Sequence, residues 1–148
     1  MCPDELKDFL FSKDILSEKE ARQYSPLTLA FLGGAVYSLL VRNMLTKDCN
    51  KPTGKLHKES VKYVNASFQA EMIKSIKEEL TEDEADIFKR GRNSRSNHSP
   101  KNQTDGDYRY ATGLESLYGY LCLCGKYERI NEIFNKTTYK EFLNSQEK

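Results

Sequence analysis

Between Leu27 and Val41 the chain runs for 15 residues without a charge, and Ser25 followed by Pro26 stands directly in front of that run. Serine is a favoured helix N-cap, and proline suits the first helical position because its missing N–H would have had no partner there. The pair predicts a helix from about Pro26 to Thr46. Fifteen residues fall short of the roughly 20 that cross a bilayer, so the segment reads as a buried helix around which the rest must fold. Its middle, FLGGAVYSLL, carries Gly33 and Gly34 side by side. Each glycine costs a helix interior about 0.5–1 kcal/mol relative to alanine, so something must favour the pair.

The other elements follow from the same signals. Ser17 with Glu20, Thr81 with Glu84 and Thr138 with Glu141 fit the capping box, in which side chains satisfy backbone N–H groups that the first helical turn leaves unpaired. Leu56, Val61, Val64, Phe68, Met72 and Ile76 recur near helical spacing and predict one long helix to about Leu80. A short helix is expected from Glu82 to about Arg90, another through Tyr110, Leu114, Leu117, Tyr118 and Leu121 to near Gly125, and two more around Tyr127–Phe134 and Tyr139–Ser145. No segment alternates with period two, so the expected fold class is all-α. The 148 residues suit one domain, with its core at about 25–135.

Charge is uneven along the chain although the net value is only +1. Residues 71–86 hold seven acids against two lysines, whereas residues 89–109 hold six bases against two aspartates. Within the basic part, GRNSRSNHSPKNQTDGD, residues 91–107, has no large apolar member and reads as a loop. Its mixture of Lys89, Arg90, Arg92, Arg95 and Lys101 with Asn and Ser suits many small contacts to phosphates and 2′-hydroxyls. A solvated loop has the same composition. Cys2, Cys49, Cys122 and Cys124 form no CxxC pair, and no early apolar segment reads as a secretory signal, which implies reduced thiols and a cytoplasmic protein without a membrane. His57 and His98 lack zinc-ligand spacing.

Two positions carry possible chemistry. On the first long helix Gly34, Ser38 and Arg42 fall at i, i+4 and i+8 and make a stripe without large apolar groups. A phosphate-binding glycine loop would follow a strand and open a helix, whereas these glycines lie two turns inside one. Close helix packing against Gly33 and Gly34 is the plainer reading. In DYRYATGLESLYGYLCLCG the sole interior acid is Glu115, flanked at i−4 and i+4 by Ala111 and Gly119. A carboxylate on so small a face needs a partner or a metal if it is buried, and is unremarked if it reaches solvent.

These features occur together in one family. LAFLGGAVYSLLVR resembles the signature helix of the ribonuclease III catalytic domain, which reads close to LGDAV; KLHKESVKYVNASFQAE, FKRGRNSRSNHSPKN and YRYATGLESLYGYLCLCGKYERI continue the resemblance. The combination is most similar to the short bacterial branch, Mini-ribonuclease III, which lacks a double-stranded-RNA-binding domain. The resemblance implies an all-α homodimer that cleaves double-stranded RNA with Mg²⁺, leaving 5′-phosphate and 3′-hydroxyl ends, in maturation of large-subunit ribosomal RNA. It implies that Glu115 is a catalytic, metal-binding carboxylate. It also sets Lys89, Arg90, Arg92, Asn93, Arg95, Lys101, Asn102 and Arg109 in the region that contacts RNA.

The sequence departs from the family where chemistry is expected. Gly34 stands in the place of the catalytic Asp, and Ser38 in the place of an acid one turn later. Activity is therefore expected to be impaired or lost, unless another acid such as Asp105 or Asp107 compensates. A non-catalytic homodimer that binds structured RNA is the alternative, and an unrelated helical interaction protein is a third class.

Overall fold

A computed structural model describes residues 14–94 and 105–147. Among these there is no strand, and eight α-helices follow in order. They are α1 (Glu18–Arg22), α2 (Pro26–Asp48), α3 (Thr53–Val64), α4 (Ala66–Ile76), α5 (Glu82–Arg92), α6 (Asp105–Leu123), α7 (Tyr127–Phe134) and α8 (Lys140–Gln146). A 3₁₀ turn, Lys77–Glu79, and a π-helical turn, Asn135–Tyr139, complete the path. The all-α expectation holds.

The two longest helices, α2 and α6, pack against each other, and α4 and α5 lie against α6. Leu114, Leu117, Tyr118, Tyr120 and Leu121 of α6 are almost fully buried. At roughly 1.5–3 kcal/mol for each large apolar side chain removed from water, this row dominates the core. From α2, Leu29, Tyr37 and Val41 meet it. The α2 helix is long and apolar enough by composition alone to cross a membrane. It is also less buried than its sequence implies, since Leu27, Phe31 and Leu39 are 42%, 86% and 59% exposed along one side.

Two capping boxes form as the sequence predicts: Glu20 N–H donates to Ser17 Oγ at 3.1 Å and Glu84 N–H to Thr81 Oγ1 at 3.2 Å. Pro26 opens α2, although the Ser25 side chain makes no capping bond. The third box does not form. Thr138 is buried within the π-helical turn, with its hydroxyl 3.0 Å from Tyr37 Oη, and Tyr37 also donates to the Tyr63 carbonyl at 2.6 Å. A tertiary hydrogen bond across the core has replaced a local one.

The predicted long helix from Leu56 to Leu80 is two helices broken at Asn65. Asn65 Nδ2 donates to the Val61 and Lys62 carbonyls, and its Oδ1 accepts from Phe68 N–H at 2.9 Å, so one side chain ends α3 and starts α4. The predicted loop is shorter than residues 91–107. Gly91 and Arg92 belong to α5, and α6 begins at Asp105. Gly91 lies so near Ser116 and Gly113 of α6 that a side chain there would overlap them. It is a packing glycine in a helix.

Candidate functional site

The α2–α6 crossing separates the two adjacent glycines. A Cβ on Gly33 would overlap the Glu115 carbonyl oxygen and stand 2.6 Å from the Gly119 nitrogen. Gly119 answers from the other side, since its own Cβ would overlap the Leu29 carbonyl. The helices touch backbone to backbone here, which explains Gly33 by packing, as the small Ala111–Glu115–Gly119 face predicts. Gly34 is different. A Cβ there would lie 3.2 Å from Glu115 Oε2 and 3.6 Å from its Cδ, with no backbone of α6 in the way. The missing side chain of Gly34 therefore points at the one acid that the sequence singled out.

Glu115 lies in a groove of about 500 Å³ that Leu27, Ala30, Phe31, Gln69, Tyr108 and Thr112 also line. Burial pushes its carboxyl up from an ordinary 4.5 to about 7, opposed by a hydrogen bond from Gln69. Glu84, a second buried acid, shows what is missing. Burial alone would raise it too, but Arg129 holds both of its oxygens at 2.8 Å and, with the Thr81 N–H, keeps its carboxyl below the usual range. Glu115 has an amide where Glu84 has a guanidinium.

Gln69 escaped the sequence reading. It is 3% exposed, its Nε2 donates to the Val64 carbonyl at 2.9 Å, and its Oε1 is buried without a hydrogen-bond partner among the described residues. The residue links the α3–α4 break to Glu115. Only the QAE that follows Phe68 in the sequence could have signalled it, and that carries no helical periodicity of its own.

The remaining candidates are spread more widely. Lys89 is exposed on α5, and Arg92 and Asn93 close that helix, with Arg92 Nε donating to Asn93 Oδ1 at 3.2 Å. Arg90 turns inward, donating to the Arg22 carbonyl at 2.7 Å and to the Tyr24 carbonyl at 3.4 Å, so its guanidinium is partly committed to the end of α1. Arg109 is exposed in the first turns of α6, whereas Arg95, Lys101 and Asn102 lie outside the described residues. The structure thus brings Gly34 and Glu115 together and leaves the described basic candidates on α5 and the first turns of α6.

The sequence matches the Ribonuclease III domain family over residues 27–126. A Mini-ribonuclease 3 from Thermoanaerobacter sp. (strain X514) is 49% identical over 125 residues, covering 84% of this chain and 88% of that relative. The chain belongs to the ribonuclease III family, in its Mini-ribonuclease 3 branch. A Mini-ribonuclease 3 from Staphylococcus aureus (strain NCTC 8325 / PS 47) is 35% identical, covering 83% of this chain and 93% of that one. An X-ray structure of a Fusobacterium nucleatum protein superposes with a TM-score of 0.72 at 36% identity, over 77% of this chain and 93% of that protein. The ribonuclease III fold and its endoribonuclease class are thereby settled for the family to which the chain belongs.

Ribonuclease III enzymes depend on divalent metal, so the residues at the α2–α6 crossing can be tested against such an ion. They do not fit it. Among the described residues Glu115 is the sole carboxylate within 4 Å of a Cβ placed at position 34. No group of three or more His, Cys, Asp or Glu side chains converges among the described residues. Asp107 does not compensate. It precedes Glu115 by eight residues, roughly 12 Å along the helix axis, and its Oδ2 accepts from Ser67 Oγ at 3.0 Å. The Asp105 side chain lies outside the described residues.

Proposed function

We propose that this chain is a ribonuclease III-type homodimer that recognises double-stranded RNA of a large-subunit ribosomal RNA precursor, in the cytoplasm, and that its Mg²⁺-dependent cleavage is impaired or lost. The observation that carries the proposal is the 3.2 Å between a Cβ placed at Gly34 and Glu115 Oε2. An acidic side chain at position 34 would stand beside Glu115, and two carboxylates with waters and substrate phosphate are a usual way to hold Mg²⁺. With glycine there, Glu115 faces an amide alone. Losing one orienting carboxylate is expected to slow phosphodiester hydrolysis by on the order of a thousandfold.

The exposed side of α2 supports the dimer. Leu27, Phe31, Ala35 and Leu39 recur four apart and form an apolar stripe beside the Glu115 groove, on a helix otherwise packed as core. A second copy of the chain would cover it, and two copies would place two Glu115 grooves along one duplex.

Cleavage of a radiolabelled RNA duplex with Mg²⁺, measured for this chain and for Gly34→Asp, tests the proposal. Robust cutting by the Asp variant alone is the expected result. Cutting by neither removes Glu115 from the catalytic role, and equal cutting by both shows that position 34 is not the lesion. The second reading, a non-catalytic RNA-binding dimer, is favoured by the unmatched burial of Glu115. It predicts salt-sensitive duplex binding with no product even after long incubation.

A further inference from the structure

Tyr110, in the second turn of α6, gathers two cations from two other helices. Lys74 Nζ of α4 lies 4.6 Å from its ring centroid, and Arg92 Cζ at the end of α5 lies 5.9 Å from it. Arg92 is also 5.7 Å from the Phe88 ring, which meets Tyr110 at 5.5 Å and 51°. Aromatic faces attract cations and fix where long side chains rest, so the two charges are held instead of sweeping through solvent.

Neither cation is ion-paired among the described residues. Arg22, Lys51, Lys126, Arg129 and Lys136, by contrast, each reach a carboxylate. Glu71 and Glu78, at i−3 and i+4 from Lys74 on its own stretch of chain, do not come within ion-pair distance of it. Two like charges within 6 Å of one ring centroid make the local potential positive, and an anion offsets it. Sequence hides the arrangement, because Lys74 belongs to the acidic stretch of residues 71–86. Folding lifts it out of that stretch and sets it beside the basic one.

We infer that Lys74, Arg92 and Tyr110 form a fixed phosphate-gripping station that extends the duplex-RNA surface from α5 and α6 onto α4. The inference rests on the double-stranded-RNA reading given above. Lys74 supplies a point charge and Arg92 a planar fork for phosphate oxygens, while Tyr110 positions both and reads no base. The station favours a regular RNA backbone over any particular sequence.

Anisotropy titrations of the full chain with a labelled blunt RNA duplex, from about 50 to 200 mM salt, test this. Removing one cation that neutralises a phosphate should make the slope of log K against log salt shallower by about 0.9. Lys74→Met is expected to show that change, and Lys74→Arg to keep the slope of the parent. Tyr110→Leu keeps both charges and is expected to weaken binding about two- to fivefold through looser placement. Lys136→Met, whose charge already pairs with Glu79 and Glu132, serves as the control. A parent that binds duplex RNA while Lys74→Met keeps its slope would overturn the station alone. A parent that binds no duplex RNA at any salt would overturn the station and the RNA reading together.

Discussion

Gly33 and Gly34 are chain neighbours on one face of α2, and α6 asks opposite things of them. Gly33 sits where two backbones meet, so a methyl group would have to displace the Glu115 carbonyl, which a helix cannot release without breaking. Gly34 sits where α6 presents the end of a side chain, which can rotate away. The first glycine serves the fold, and the second leaves an open place beside the Glu115 carboxylate. Their difference shows that the cost of a residue type is set by what faces it, whether rigid backbone or mobile side chain.

The sharpest way to break this comparison is alanine at position 33. Gly33→Ala should lose more than about 4 kcal/mol, the range of severe overpacking, or fail to fold at all, as judged by urea unfolding. A normal unfolding midpoint would mean that α2 and α6 do not approach as described. Next in size is Gly34→Asp, for which turnover of duplex RNA with Mg²⁺ should rise on the order of a thousandfold. Its thermal midpoint should fall without divalent ion, because two carboxylates then face each other, and recover when Mg²⁺ is added.

A third measurement concerns Glu115 itself. Its native carboxyl holds a proton up to about 7, whereas the unfolded chain releases it near 4.5, so the native state binds more protons between those values. Stability from this group is complete below about pH 4.5 and is lost as pH rises through 7. Glu115→Gln should therefore match the parent in acid and exceed it by roughly 3 kcal/mol above neutrality. Melting curves at both ends of that range decide it, and a pH-independent difference would remove burial as the cause. The smallest effect is expected from Gly34→Ala. Gain in helix propensity of up to about 1 kcal/mol opposes a 3.2 Å contact with a movable carboxylate oxygen, leaving unfolding within about 1 kcal/mol of the parent.

Local chemistry was the legible part of the fold. Ser17 with Glu20 and Thr81 with Glu84 cap their helices as spacing alone requires, because every participant lies within four residues. Thr138 with Glu141 has the same spacing and no cap, since the buried Tyr37 hydroxyl takes the threonine instead. Asn65 interrupts an apolar period that runs straight through it, and periodicity does not register a side chain that caps in both directions. At the site, the helical wheel set Gly34 on a stripe without large apolar groups and Glu115 stood out as the sole interior acid of its helix, but close packing stayed open for both glycines. Gln69 and Lys74 stayed invisible for one reason: each acts on a residue more than 30 positions away.

By itself the sequence determined the all-α class, most helix positions and the family. Those depend on short-range rules of capping and periodicity and on the order of residues along the chain. Tertiary structure alone decided which glycine is structural, how far Glu115 is withdrawn from water, and which cations of the described residues stand apart from acids. Those are matters of distance between helices remote in sequence, where an ångström separates a backbone collision from an open place beside a carboxylate.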